Sequence, residues 1–218
     1  VARSYIAQVL VLAKTKLGET DLILTLLSSE NSQIRAVAKG ARKPGAKLCG
    51  LSEPFTVFDA KFHAGKSLDI VQEAGAVESY ASIRENYNCL IAGSVALELA
   101  TLVTNDGDTI PRLYAMTRAF LDALSIVATD ENEQQLHLLL TAYLLKAMAM
   151  IGYSPEYELC AQNPELADLL RSTFAQLAKS HSGDNLQASK RQLRQTVNFT
   201  EKHLPAPLKS LIYYKKSM

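Results

Sequence analysis

The hydrophobic pattern changes period once, near Glu78, and this restricts the chain to a β unit followed by an α unit. Before that point apolar residues favour alternate positions, as on a strand with one buried face. Tyr5 to Lys14 is rich in aliphatic and β-branched residues, and Gly18-Glu19-Thr20-Asp21 follows as a turn. Leu22 to Ser28 is a second apolar run. Gln33 to Lys39 sets Ile34, Ala36 and Ala38 against Gln33, Arg35 and Val37, with Glu30-Asn31-Ser32 as the hairpin connection. Arg42 to Gly50 holds Pro44, Gly45 and Gly50 and is predicted to be a flexible loop. Phe55 to Ala64 places Phe58, Ala60 and Phe62 on one face, Gly65-Lys66-Ser67 turns, and Leu68 to Ala74 returns. Five strands joined by hairpins, with no helix between them, predict a small barrel.

Beyond Glu78 the spacing is helical. Asn88 to Thr104, Pro111 to Ala128, Glu131 to Ile151, Pro164 to His181 and Leu186 to His203 are predicted helices. Their breaks fall at Asn105-Asp106-Gly107-Asp108, Thr129-Asp130 and Ser182-Gly183-Asp184-Asn185, and Pro111 and Pro164 suit a first helical turn. Leu136, Leu139, Leu140, Tyr143, Leu144, Ala147 and Met148 predict one broad buried face. The expected fold is therefore α+β: a five-stranded β-barrel over residues 1–78, then an all-α helical domain over 79–218. No Pro/Ser-rich linker separates them.

Composition matters mainly through where the charges lie. Net charge is only +1, with 48% hydrophobic and 21% charged residues, which suits a globular chain. Residues 1–49 carry 8 Lys/Arg against 3 Asp/Glu, residues 50–168 carry 6 against 17, and residues 169–218 carry 9 against 2. Two basic ends flank an acidic middle, so the ends are expected to meet an anionic partner. Cys49, Cys89 and Cys160 are too few and scattered for a disulfide framework and suit a reducing cytoplasm. Val1 to Val11 alternates and has no small-residue cleavage site, so no signal peptide is expected. Leu136 to Ile151 falls short of the roughly 20 residues of a membrane span and carries His137 and Lys146, so no membrane contact is expected.

The densest local signal is Arg35, Lys39, Arg42, Lys43 and Lys47: five cations in thirteen residues without an acid. On a strand and its exit loop, such cations can follow a phosphate backbone and release its counterions. A merely solvated loop is the plainer alternative. Phe55, Phe58 and Phe62 could stack on bases, but phenylalanines at alternate strand positions are more simply barrel core. The chain has no Trp, so an electrostatic grip with weak sequence preference is expected. A second basic cluster, Lys190, Arg191 and Arg194, shares a helix face by spacing and is followed by Lys202, Lys209, Lys215 and Lys216. It could extend a DNA track, meet an acidic protein tail, or only answer the helix dipole.

Enzymatic signatures are missing. There is no GxxxxGK[ST] loop, GxSxG elbow or HExxH pair. His63, His137, His181 and His203 are scattered, with no ligand-spaced partners, and are expected to be packing or surface residues. No enzyme activity is expected.

Several ordered segments resemble the RecO family of bacterial recombination mediators. They are Gly18-Glu19-Thr20-Asp21; Val37-Ala38-Lys39-Gly40-Ala41-Arg42-Lys43-Pro44; Leu48-Cys49-Gly50-Leu51-Ser52-Glu53-Pro54-Phe55; Ile151-Gly152-Tyr153-Ser154-Pro155; and His203-Leu204-Pro205-Ala206-Pro207-Leu208-Lys209-Ser210-Leu211. The resemblance implies an N-terminal OB-fold barrel and a helical C-terminal domain. It implies binding to single- and double-stranded DNA, annealing of complementary strands, and a complex with RecR that helps RecA replace single-strand-binding protein (SSB). It also implies contact with the acidic SSB C-terminal tail, for which a helical-domain groove bordered by basic residues is expected, and a cytoplasmic, nucleoid-associated location. Lys39, Arg42, Lys43 and Lys47 fall on the family's basic barrel segment. A protein-interaction scaffold with incidental DNA contact is the alternative. Many family members carry a four-cysteine zinc module after the GYSP-like turn. Here Cys160 has no second local cysteine before Pro164, so no cofactor is expected; zinc would require a cysteine-bearing segment after Cys160 that this sequence lacks.

Overall fold

The computed structural model describes residues 4–104, 109–130, 132–180 and 185–217. They form two compact units: Val1–Ala81 with Ala100–Tyr114, and Ser82–Leu99 with Ala115–Met218.

The first unit contains β1 (Ser4–Leu17), β2 (Asp21–Ser28), β3 (Gln33–Ala38), the short helix α1 (Lys47–Leu51), β4 (Thr56–His63) and β5 (Asp69–Ser79). The strands close into a barrel in the order β1-β2-β3-β5-β4, with β3 and β5 parallel and the other pairs antiparallel. This is the expected five-stranded OB-fold barrel, and with the helices that follow it makes the chain α+β. Closure depends on β1, which pairs with β2 on one side and β4 on the other and shifts register between Val11 and Ala13. The extra residue bends the strand, as closure of so few strands requires.

Inward positions make the barrel core. Val9, Val11, Leu24, Leu26, Phe58 and Phe62 are buried there, and the small Ala36, Ala38 and Ala60 leave room for the two rings. Phe55, Phe58 and Phe62 are therefore core residues, not stacking platforms. Arg42 to Gly50 is not wholly loop: α1 begins at Lys47 and buries Leu51.

A later segment fastens to the barrel's β2–β3 hairpin. Gln33 Nε2 donates to Thr101 O at 3.1 Å and Thr104 O at 2.7 Å. Asn31, in the left-handed region at φ 68°, accepts from Tyr114 N on its side chain at 3.0 Å and from Ile110 N on its carbonyl at 3.2 Å. Asn tolerates this backbone better than most residues.

The remaining helices are α2 (Ala81–Glu85), α3 (Tyr87–Val103), α4 (Leu113–Asp130), α5 (Glu133–Met150), α6 (Pro155–Glu158), α7 (Pro164–Arg171), α8 (Phe174–Lys179), α9 (Leu186–His203) and α10 (Lys209–Ser217), with a 3-10 turn at Cys160–Gln162. Within the second unit, α5 packs against α7, α8 and α9. It buries more than the one face expected, and none of its residues is exposed. Tyr143 lies at its centre, fully buried, with its hydroxyl bonded to Thr117 Oγ1 at 3.1 Å and Ala96 O at 3.2 Å. Buried Thr141, Thr196 and Thr200 donate to carbonyls four residues earlier, so α5 and α9 meet without orphaned hydroxyls at these positions.

Three helix expectations change. Pro111 lies in a turn before α4, with Arg112 at φ 67°, and does not open the helix. The expected Pro164 to His181 helix is two helices, because Thr173 caps α8 in a reciprocal box with Gln176. The C-terminal α10 is additional; Lys209 precedes the buried Leu211 and Tyr214. Glu131, His181 and the breaks at residues 105–108 and 182–184 lie outside the described residues. No helix among the described residues is long and apolar enough to cross a membrane.

Candidate nucleic-acid interface

The alternation that buries Ala36 and Ala38 turns Arg35, Val37 and the following Lys39 outward. Register extends this face across neighbouring strands. Thr25 lies opposite Arg35 and Ile23 opposite Val37, while Ile70 of β5 pairs with Val37. The face is aliphatic and polar, with a cation at Arg35, and none of these positions carries an aromatic ring.

At one end, β3 leads into the basic loop, which is closed by consecutive turns. Gly40 takes φ 66° and Gly45 φ 73°. Lys43 N donates to Gly40 O at 3.0 Å, and Ala46 N to Lys43 O at 3.1 Å. At Gly40 the positive φ alone calls for glycine, since a Cβ there would meet the Lys43 stem at an ordinary contact distance of 3.5 Å. The loop is also docked, contrary to the flexible loop expected from its glycines. Ala41 is fully buried in the barrel core. Arg42 N donates to Thr20 O at 2.9 Å, Arg42 Nη1 to Gly18 O at 3.1 Å, and Gly40 N to Asp21 Oδ1 at 2.7 Å. The two motifs Gly18–Asp21 and Lys39–Lys43, some twenty residues apart in sequence, thus form one structure.

Lys39, Arg42 and Lys43 project from it into solvent. Among the described residues, none of these or Arg35 or Lys47 is held in an ion pair. Other cations are: Lys14 pairs with Glu53, and Lys61 with Glu73 at 3.9 Å. The nearest acid in the loop's own network is Asp21. Its carboxyl is held below the usual range, first by the Gly40 N–H, then by the Thr20 hydroxyl, and further by the charges of Lys39 and Lys43.

Lys47 stands apart. It begins α1, which packs on β4 and β5, and it lines a groove of about 680 Å³ with Ile6, Asp59, Lys61 and Glu73. That groove carries both signs of charge. Lys66, in the Gly65-Lys66-Ser67 turn, lines a concavity of about 530 Å³ with Arg35, Gln33, Tyr5 and Asp69. The β4–β5 turn of such barrels commonly borders the strand-binding face, and a lysine in that turn is the sequence signal for Lys66. Gly65 shapes the turn, since a Cβ there would come within 1.9 Å of Leu68 O.

The second basic cluster divides. Lys190 is mostly buried and pairs with Glu133 at 3.0 Å. Arg191 and Arg194 are exposed, and with Lys202 they follow one side of α9. The side chains of Lys215 and Lys216 lie outside the described residues. Elsewhere in this unit, Ala119, Ala123, Ile126, Lys146, Arg171 and Phe174 line a groove of about 410 Å³. Lys146 donates to Leu170 O and lies 5.9 Å from the Phe174 ring centre.

His137 is buried in α5, and His203 lies between Tyr153 and Phe199. Cys160 is buried, which raises its thiol pKa, with Glu156 adding to the shift. Among the described residues no group of three or more His, Cys, Asp or Glu could hold a metal ion.

Two family models match the chain. Residues 3–80 match the model described as Recombination protein O N terminal, and residues 84–163 match the one described as Recombination protein O C terminal.

Proposed function

The chain belongs to the recombination protein O (RecO) family, whose role is in DNA recombination and repair, and from that premise we propose that it is a non-enzymatic mediator acting directly on DNA. In this reading it binds single- and double-stranded DNA and anneals complementary strands. With RecR, it helps load RecA onto DNA coated by SSB, and it works in the bacterial cytoplasm at the nucleoid.

The observation that carries the reading is the docked loop: Lys39, Arg42 and Lys43 are exposed, free of ion pairs and fixed beside the first turn of an OB barrel. Cations held in place gain more from phosphate than cations that must first be ordered. Arg35 and Lys66 extend the surface along the β3 side, while the mixed charge around Lys47 makes it the weakest candidate among Arg35, Lys39, Arg42, Lys43 and Lys47. Neutralising phosphates lets two strands approach despite their repulsion, and this step needs no nucleotide. Arg191 and Arg194 on α9 offer a further phosphate contact. The apolar groove at Ile126 and Phe174, with Arg171 and Lys146 beside it, suits an acidic tail with an apolar end, as expected of SSB.

Titration of single-stranded DNA at several salt concentrations tests the reading. Five phosphate contacts would give a slope of log K against log salt of about −3.5. Lys39→Glu with Arg42→Glu should lower affinity at least tenfold and flatten that slope. Affinity indifferent to salt and to the double reversal would instead favour an interaction scaffold.

A further inference from the structure

A carboxylate in a phosphate-binding surface is unfavourable by charge alone. Asp21 nevertheless sits at the base of the cationic loop, close enough to Lys39 and Lys43 for their charges to act on it. What it does there is visible in its bonds. Its Oδ1 accepts from Gly40 N at 2.7 Å, and the Thr20 hydroxyl donates to the same oxygen at 2.9 Å. Gly40 is the residue whose positive φ turns the chain out of β3 and into the loop.

The loop has reasons to come loose. Lys39, Arg42 and Lys43 repel one another, and Gly40 and Gly45 give an undocked chain many alternatives. Opposing this are the buried Ala41 methyl, the two bonds from Arg42 to Thr20 O and Gly18 O, and the bond to Asp21. Two of these fastenings are charge-assisted, the Arg42 guanidinium on Gly18 O and the Asp21 carboxylate on the Gly40 N–H, and only the second holds the backbone where the loop begins. It also acts at the loop's first residue after Lys39, where it fixes the direction of everything that follows.

We propose that Asp21 is a positioning residue of the DNA site, holding Gly40 so that Lys39, Arg42 and Lys43 are presented together before DNA arrives. This rests on the DNA-binding reading above. It predicts an effect opposite in sign to simple electrostatics: deleting a negative charge from the surface weakens DNA binding.

The test compares the full chain with Asp21→Ala and Asp21→Asn. Asparagine keeps an oxygen for the Gly40 N–H but carries no charge and has an NH2 in place of the second oxygen. Without DNA, amide exchange at Gly40 should quicken at least tenfold in Asp21→Ala and by a smaller factor in Asp21→Asn, whose uncharged oxygen still accepts the bond. In DNA titrations at fixed salt, Asp21→Ala should bind about five- to tenfold more weakly, and Asp21→Asn as tightly as the parent or more so. Tighter or unchanged binding by Asp21→Ala would overturn the proposal, as would unchanged exchange at Gly40. The exchange arm needs no DNA. If the parent chain bound none, the function reading would fail by itself, while Gly40 exchange still decided whether Asp21 holds the loop.

Discussion

His137 is buried at 3% exposure on α5, where its Nδ1 lies 3.3 Å from Ser189 Oγ and its ring meets Tyr214 edge-on. Burial pushes its pKa down to about 4; Glu133, at 3.7 Å from Nε2, opposes this, and Lys190 adds to the lowering. The folded chain therefore keeps the imidazole neutral, whereas the unfolded chain takes up a proton near pH 6.5. Stability from this group is complete above pH 6.5, falls as pH drops towards 4, and falls no further below that. Urea unfolding should show a loss of about 2 kcal/mol between pH 7 and 5, and His137→Gln should lose most of that dependence. Residue-scale roles differ in how far sequence reveals them. Lys39, Arg42 and Lys43 stand out because cations without neighbouring acids are a local signal. Lys190 does not betray its partner, because Glu133 lies on another helix and only packing of α5 on α9 brings them together. Asp21 is hidden in a similar way: a turn acid looks ordinary until the β2–β3 register, with Leu22 opposite Ala38, brings Gly40 against it.

At the scale of elements, alternation predicts β3 and β4, where every second residue enters the core, while β1 and β2 show as apolar runs because Val9 to Leu12 and Leu26 to Leu27 are buried consecutively. Their ends are less visible. β5 runs on to Ser79 past a register shift between Lys61 and Phe62 on its partner strand, and such bulges leave little trace in composition. The division between α7 and α8 did have a signal. Thr173 and Gln176 have the spacing of a capping box, and that box starts a helix where apolar periodicity alone reads through. Thr173→Ala removes the hydroxyl that accepts from Gln176 N at 3.2 Å. It should cost about 1 kcal/mol in denaturant unfolding, with Thr173→Ser restoring most of it. Helix α10 escapes sequence reading because it is short, and the prolines at 205 and 207 suggest that regular structure has ended.

At the scale of the molecule, the change of period near Glu78 marks where strands stop, but compactness follows contacts rather than chain order. The barrel's unit includes Ala100–Tyr114, from well beyond that point. No local pattern announces this, because Gln33 and Asn31 look like ordinary hairpin residues until Thr101, Thr104, Ile110 and Tyr114 reach them. Gln33→Met keeps the bulk of the side chain and removes its donors to Thr101 O and Thr104 O. It should lower stability by about 1–2 kcal/mol, read by chemical denaturation with a probe in the barrel.

The same fastening has a meaning in time. A ribosome delivers the chain from its N-terminus, and an N-terminal domain ordinarily folds while the rest is still being made. All five strands have been added by Ser79, but the groups that bind Asn31 and Gln33 follow only as synthesis reaches Tyr114, on the order of seconds later. During that interval Asn31 and Gln33 lack the partners they hold in the finished fold, so the last fastenings of the hairpin wait on synthesis of the chain as far as Tyr114.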